Sequence, residues 1–330
     1  MRPVSDARRA QPVVALIASL SVLLAACGGD GVAPTGAGGD GAGVTAVAAV
    51  YPLAWLAEQV APDAEVSLLD AGGLEAHDLE LSPGQRRAIE AADVVVFVGH
   101  IGFQPQVEEA IGSSGGEGEV VSLAEVAGPD RLLGPAAGGQ GEEGDEHAGE
   151  VEADDEPVVD PHIWFDLEVM AETAVRTGEA FAASDPDNAV TYRENAKRLS
   201  EELADLEGEL DETLGGECRH REVIVSHQAY GYLLEPFGVE QRGITGVNPS
   251  AGASSAGLGE LVEEIRQEGF QHVLTEPVEG RDGAETVARE ADVELLEISP
   301  LDAVTPDQAR AGFVNLVRSQ AAQFATALGC

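Results

Sequence analysis

Basic residues are scarce in this 330-residue chain, which holds 18 Lys and Arg against 60 Asp and Glu and carries a formal net charge of −42. Proteins that bind nucleic acid neutralise its phosphates with basic side chains, so this balance argues against a nucleic-acid partner. The apolar run at residues 13–26 is short, because a helix needs about 20 apolar residues to span a bilayer. The run therefore does not predict a membrane-spanning helix.

Cysteine is rare as well: the chain contains only Cys27, Cys218 and Cys330, and no CxxC motif. This usage supports neither a thiol-redox motif nor a cysteine-based zinc site. Cys27 directly follows the apolar run, and three arginines lie within the nine residues at the start of the chain. A basic segment, a short apolar run and small residues in this order predict a secretory signal at residues 1–26.

The four residues "LAAC" at 24–27 have the form of a bacterial lipobox, which predicts lipidation of Cys27. Residues 28–43 contain eight glycines in sixteen positions, a composition typical of a flexible tether. We therefore expect a lipid-anchored, extracytoplasmic protein whose tether spans residues 27–43 and whose folded part begins at Val44. Ordinary secretion with a chance cysteine is the alternative.

Strand-like and helix-like segments alternate on both sides of a long helical region. Residues 82–92 predict a helix with Ser82 as its N-cap and Pro83 at its first position. Within residues 186–214, leucines recur every three or four positions from Leu199 to Leu214, which predicts an amphipathic helix about 40 Å long at 1.5 Å per residue. The strand candidates are 44–50, 94–98, 222–226, 239–245, 272–276 and 293–299, and further helix candidates are 254–268, 282–291 and 306–327.

This alternation predicts an α/β protein with two parallel-sheet lobes joined by one long rigid helix. We place the N-terminal lobe at 44–165, the helical linker region at 166–214 and the C-terminal lobe at 215–330. Cys218 and Cys330 would then lie in a compartment that permits disulfides. We predict that they pair, which would tie the final helix to the start of the second lobe; two unpaired thiols are the alternative.

Ligands gather at the carboxyl ends of strands in open α/β sheets, and four candidate metal ligands fall at such ends or in adjacent loops. They are His77, His162, His227 and Asp302, and 65 to 85 residues separate each from the next, so that only a fold would join them. Three imidazoles and one carboxylate suit a tetrahedral Zn²⁺ ion. Taken singly, each histidine also fits a surface or capping role, and Asp302 also fits a helix N-cap, so the residues alone leave both readings open.

Four sequence blocks that contain these residues resemble those of one family. The blocks are "AHDLELSP" (76–83), "DPHIWFD" (160–166), "SHQAYGYL" (226–233) and "SPLDAVT" (299–305). They resemble the metal-binding lipoproteins of ABC importers, the ZnuA/TroA-like (cluster A-I) solute-binding proteins. The resemblance covers nearly all of residues 44–330, and it implies a bilobal fold with a single helical rod and a metal ion held between the lobes. It also implies delivery of the metal to an ABC-transporter permease, by a protein that we expect to be monomeric.

Carried over residue by residue, the resemblance assigns His77, His162 and His227 to the three histidine ligands and Asp302 to the carboxylate ligand. A histidine at the third position favours the zinc branch over the manganese branch. Two positions depart from the family pattern: Ala76 replaces a common proline before the first ligand, and Asp302 stands where many zinc members have Glu.

The remaining histidines fit the pattern less well. His100 also ends a predicted strand, and we interpret it as a surface residue more readily than as a ligand. His220 and His272 begin strands, which is the wrong end for a ligand cleft. Tyr230 and Tyr232 are expected to pack the helix after His227.

An acidic segment precedes His162. Its acids and one histidine could gather metal weakly, and they are Glu142, Glu143, Asp145, Glu146, His147, Glu150, Glu152, Asp154, Asp155 and Glu156. Mutual repulsion and few apolar residues predict no packed structure for the loop at 138–156. We interpret it as an electrostatic funnel that raises the local cation concentration. A surface insert without a role is the alternative.

Three other functions stay open from the sequence. A manganese-binding member of the same family differs only in its metal. A secreted zinc hydrolase would need an open coordination position and a general base, and the chain has no HExxH motif. A surface adhesin is compatible with an anchored protein, without an independent feature in its favour.

The funnel interpretation predicts the effect of deleting residues 138–156. The deletion should leave the zinc affinity nearly unchanged and should slow zinc association at low salt, because long-range attraction is screened as salt rises. Stopped-flow association at two ionic strengths measures both quantities. Loss of a second tightly bound zinc ion on deletion would instead make His147 a true ligand.

Overall fold

The structure, a computed structural model, describes residues 43–69, 76–115, 118–134, 159–249, 252–277 and 280–330. Cys27, nearly all of the tether and the acidic segment at 138–156 lie outside these residues, and the expectations for them stay predictions. No helix within the described ranges is both long and apolar enough to cross a membrane.

The N-terminal lobe contains a parallel sheet of four strands. The strands are β1 (Thr45–Ala48), β2 (Glu65–Leu68), β3 (Val94–Phe97) and β4 (Glu119–Ser122), in the order β2-β1-β3-β4. Its helices are α1 (Tyr51–Val60), α2 (Pro83–Ala91), α3 (Pro105–Ser113) and α4 (Leu123–Ala127). Helix α2 begins as predicted, with the Ser82 side chain accepting from the Gln85 N–H and the Gln85 side chain closing a capping box. Strand β2 is mostly exposed, so it has little of the apolar pattern by which a strand is predicted.

Two helices, α5 (Leu167–Ser184) and α6 (Ala189–Leu214), form the linker region. Helix α6 has 26 residues, about 39 Å at 1.5 Å per residue, and its leucines from Leu199 to Leu214 are buried. It begins three residues later than predicted, because residues 186–188 form a 3₁₀ turn. It packs against α1 and α5 at the N-terminal lobe and, further along, against the final helix of the chain. The predicted long helix therefore joins the two lobes.

The C-terminal lobe repeats the same sheet topology. Its strands are β5 (Glu222–His227), β6 (Glu240–Thr245), β7 (His272–Thr275) and β8 (Glu294–Glu297), all parallel and in the order β6-β5-β7-β8. Its helices are α7 (Gly231–Leu234), α8 (Ser255–Glu268), α9 (Arg281–Ala291), α10 (Pro306–Ala311) and α11 (Phe313–Leu328). In both sheets the strand order reverses beside the first strand of the lobe, and ligands of open α/β sheets bind at such reversal points.

The helix predicted at 306–327 is two helices, and this prediction was wrong. Gly312 has φ 81°, which ends α10 and turns the chain before α11. A Cβ at this position would lie 3.3 Å from Nε1 of Trp55 in α1, so a side chain would crowd the contact between the lobes. The first residue of α11, Phe313, then packs on Trp55 with ring centroids 5.4 Å apart.

The core is continuous through both lobes and the linker. One apolar cluster runs from Ala48 in β1 through Trp164 and Leu206 to Val225 in β5 and Phe324 in α11. Two smaller clusters cover the other face of each sheet. Buried side chains therefore hold the lobes together, and the carboxyl ends of β1 and β5 face a common junction.

Cys218 and Cys330 are joined in a disulfide, the pairing expected from the sequence. The Gly329 N–H and the Cys330 N–H donate to the last turn of α11, and the His220 N–H donates to the Leu328 carbonyl at 3.0 Å. The bond therefore fastens the end of α11 to the segment that leads into β5.

Replacing Cys330 by Ser should lower the free energy of unfolding by about 4–5 kcal/mol, because the disulfide closes a loop of more than 100 residues in the unfolded chain. Urea unfolding of the variant measures the loss, and Cys27→Ser is the control that should leave the midpoint unchanged. Two free thiols titrated in oxidised, denatured Cys27→Ser protein would contradict the pairing.

Candidate metal centre

The first histidine, His77, lies in a 3₁₀ turn at Ala76–Asp78 in the N-terminal lobe. Its ring meets the edge of Phe103 with ring centroids 4.7 Å apart. Its Nε2 atom is buried and has no hydrogen-bond partner among the residues that the structure describes. A buried polar atom without a partner costs free energy, so this nitrogen is suited to bind a metal ion.

The second histidine, His162, precedes a 3₁₀ turn at Ile163–Phe165 and is 1% exposed. Its Nδ1 lies 2.7 Å from Oδ1 of Asp160, and its backbone N–H donates to the same oxygen at 2.9 Å. The Trp164 ring stands at its side with centroids 5.2 Å apart. The carboxylate therefore fixes the ring through Nδ1 and leaves Nε2 for another partner.

The third histidine, His227, is the last residue of β5 and is 1% exposed. Its Nδ1 lies 2.8 Å from Oε1 of Glu276, which follows β7, the neighbouring strand. The Tyr230 hydroxyl donates to the same oxygen at 3.0 Å. A buried carboxylate therefore lies beside the Nδ1 atom of His227 as well.

These three rings converge. One ligand atom from each of His77, His162 and His227 lies within 4.8 Å of the others, the one such group among the residues that the structure describes. The Nε2 atoms of His162 and His227 are 3.4 Å apart. Two nitrogens that each lie about 2.0–2.1 Å from one tetrahedral zinc ion are about 3.4 Å apart, so the His162–His227 pair has the spacing that zinc requires.

Burial keeps the His77 imidazole neutral, and buried carboxylates surround the site with negative charge. Burial, with further contributions from His162 and His227, lowers the pKa of His77 to about 2, so this ring is neutral over the physiological range. For His227, burial lowers the pKa, but Glu276, Asp302 and Asp160 together outweigh it and raise the pKa. Three buried carboxylates therefore create a negative potential around three imidazoles, which attracts a cation.

The donor set fits a borderline-soft divalent ion. Three imidazole nitrogens suit zinc, whereas hard ions such as manganese take more oxygen ligands. Asp302 is not in the donor group: its Oδ2 accepts the Ala76 N–H at 2.9 Å and its Oδ1 accepts the Ala303 N–H at 2.8 Å.

The other histidines lie outside the donor group. His100 is exposed and its ring packs against Phe97 with centroids 5.2 Å apart. His220 is stacked on Phe270, and His272 lies 3.9 Å from Glu294 on the neighbouring strand.

Sequence reasoning missed the residues that orient the histidines. Asp160 and Glu276 had no assigned role, and the tyrosines were expected only to pack a helix. The Tyr232 hydroxyl donates to the Asp160 carbonyl at 3.1 Å, and Tyr230 holds Glu276. Two signals were available: Asp160 lies two residues before His162, and Glu276 ends the strand candidate at 272–276.

The model of the family "Zinc-uptake complex component A periplasmic" (ZnuA) matches residues 46–327. The chain belongs to this family. The bilobal fold and the metal-binding resemblance predicted from the sequence blocks are thereby confirmed.

Curated relatives include the zinc-binding lipoprotein AdcA of Streptococcus pneumoniae, 30% identical over 267 residues, which are 81% of this chain and 52% of AdcA. The high-affinity zinc uptake system protein ZnuA of Bacillus subtilis is 27% identical over 297 residues, 89% of each chain. The chain thus spans about half the length of AdcA but most of the Bacillus protein. The solved periplasmic zinc-binding protein TroA of Treponema pallidum matches with a TM-score of 0.73 at 18% identity, over 87% of this chain and all of TroA, and this likeness shows the fold alone.

Changing Glu276 to Gln should weaken zinc binding by about 10–100-fold, because an amide can turn an N–H toward His227 Nδ1 and disturb the ring orientation. Competition with a chelator of known zinc affinity measures the change. Glu294→Gln is the matched control, since Glu294 is exposed beside the non-site residue His272. Equal affinities of the two variants would exclude an orienting role for Glu276.

Proposed function

We propose that this protein captures one Zn²⁺ ion between its lobes through His77, His162 and His227 and delivers it to the permease of an ABC importer. The proposal rests above all on the convergence of the three imidazoles at the junction of the lobes. His77 belongs to the N-terminal lobe, His162 to the segment before α5, and His227 to the C-terminal sheet. A site assembled from both lobes links metal binding to their relative position.

Zinc is the metal that the donor chemistry favours. The names of AdcA and ZnuA describe zinc binding and zinc uptake, which supports the same cargo for this chain. A nitrogen-only triad is a poor site for manganese, which takes oxygen ligands. Manganese is the alternative cargo, and a competition between the two metals decides between them.

Members of this family are solute-binding proteins, and we propose the same for this chain in preference to a hydrolase. Metal-assisted hydrolysis needs a general base within reach of a metal-bound water. The buried carboxylates Asp160 and Glu276 are each engaged with a histidine Nδ1. Because they orient the ligand histidines, neither is available as the general base.

We propose an extracytoplasmic location with a lipid anchor at Cys27, which suits a protein that hands its cargo to a membrane permease. The family description names a periplasmic component, and AdcA is named a lipoprotein. We also propose that the protein acts as a monomer, which a site completed by one chain permits.

Protein purified without a tag, with zinc and manganese both supplied, should contain one zinc ion per chain. Alanine at His77, His162 or His227 should lower the zinc affinity at least tenfold, because each removes one of few ligands and leaves a cavity in a buried site. Elemental analysis and chelator competition measure stoichiometry and affinity.

His272→Ala is the control for these variants, since His272 lies outside the donor group. It should retain one zinc ion with unchanged affinity. Stoichiometric manganese binding in the presence of zinc would overturn the choice of metal. Full zinc affinity in all three site variants would overturn the site.

A further inference from the structure

Both lobes hold the turn that carries His77. The Ala76 N–H donates to Oδ2 of Asp302 at 2.9 Å in a buried contact, and the Ala76 carbonyl accepts from Nε2 of Gln104 at 3.2 Å. Gln104 belongs to the N-terminal lobe, whereas Asp302 follows β8 of the C-terminal lobe. A three-residue 3₁₀ turn has little internal bonding to fix it. The position of the His77 imidazole therefore depends on these two outside partners.

Asp302 is itself firmly held on its own lobe. The preceding residue, Leu301, has φ 62° and is 1% exposed, an unfavourable backbone conformation that persists because the surrounding contacts hold it. The Leu301 N–H donates to Oγ of Ser299 at 3.2 Å, and the Ser299 N–H donates to Oε1 of Gln320 in α11 at 2.9 Å. These contacts fix the loop that carries Asp302 to the C-terminal lobe.

The same loop contacts the N-terminal lobe at two further points. The Asp302 carbonyl accepts from the Tyr51 N–H at the start of α1 at 3.0 Å. The Pro300 carbonyl accepts from Nε1 of Trp164 at 2.8 Å. Asp302 therefore sits where the C-terminal lobe is bonded to the segments that carry His77 and His162.

The carboxylate of Asp302 is occupied by backbone donors. Oδ2 accepts from Ala76 and Oδ1 from Ala303, and Asp302 does not belong to the donor group of the three histidines. A hydrogen bond to an ionised carboxylate is stronger than one between neutral groups, so the bond to Ala76 is a firm one.

The bond depends on the type of residue at position 76. Proline there would have no N–H to donate. The bond to Asp302 therefore exists because residue 76 is alanine.

We propose that Asp302 is a positioning residue that fixes His77 through the Ala76 N–H, and that it does not ligate the metal. Asp302 then completes the three-histidine site only when the C-terminal lobe is bonded to the N-terminal lobe. This inference rests on the proposed zinc site and replaces only the role that the sequence predicts for Asp302.

A double-mutant cycle tests the positioning role. Asp302→Ala should lower zinc affinity about 10–100-fold, the effect of losing a partner outside the ligand shell. In the His77→Ala background the same change should lower it less than threefold, because the residue through which Asp302 acts is gone. In the His227→Ala background, where His77 is retained, the full loss should persist. An equal loss in both backgrounds would overturn the proposal.

A second cycle isolates the hydrogen bond. Ala76→Pro removes the N–H and should weaken zinc binding, and Asp302→Ala should add less than threefold on top of it. Asp307→Ala, an exposed aspartate in the same lobe, is the matched control and should leave affinity unchanged. A full additional loss in the Ala76→Pro background would contradict action through Ala76. Circular dichroism verifies that each variant is folded, and the His77→Ala cycle stands if Ala76→Pro is not.

The absorption spectrum of bound Co²⁺ distinguishes a positioning role of Asp302 from metal ligation. With Co²⁺ at saturation, the visible absorption bands of Asp302→Asn should match those of the parent in position and intensity, because the ligands are unchanged. A shifted spectrum would make Asp302 a ligand and overturn the inference while leaving the zinc site intact. Failure of the parent protein to bind one zinc ion would instead refute the proposed function.

Discussion

The close approach of two imidazole nitrogens is the constraint on which the rest of the arrangement depends. When both rings are neutral and carry their protons on the Nδ1 atoms beside Asp160 and Glu276, the Nε2 atoms of His162 and His227 are both acceptors, 3.4 Å apart in a buried space. Such acceptors repel unless a proton or a cation lies between them. A divalent ion relieves this repulsion and also balances the buried carboxylates, so the closed arrangement and metal binding stabilise each other.

The architecture explains how the binding of one ion is coupled to the relative position of the two lobes. Each lobe contributes a ligand region at the carboxyl end of its sheet, and the strand order reverses there in both. Helix α6 and the core cluster that runs through both lobes fix the distance between the carboxyl ends of the two sheets. Under the proposed function, release of the zinc ion requires a change at the junction, where the loop around Asp302 meets α1 and the His77 turn.

Much of the fold and of the site could be predicted from the sequence, because the patterns that indicate them lie within short segments of the chain. The leucine spacing predicted α6, Ser82 and Pro83 predicted the start of α2, and the family blocks identified the histidines. The break at Gly312 could not be predicted, since its crowding against Trp55 depends on a contact between lobes. The same holds for the bond from Ala76 to Asp302, whose partners are 226 positions apart. Contacts that only the packed lobes create leave no periodic pattern in the sequence.

A crystal structure of the zinc-loaded protein, with anomalous diffraction data on both sides of the zinc absorption edge, shows directly whether the three histidines hold the metal. We expect one anomalous peak per chain, about 2.0–2.1 Å from Nε2 of His77, His162 and His227. Asp160 and Glu276 should remain at the Nδ1 atoms of their histidines. A peak elsewhere, or none within bonding distance of the three rings, would contradict zinc binding by these histidines.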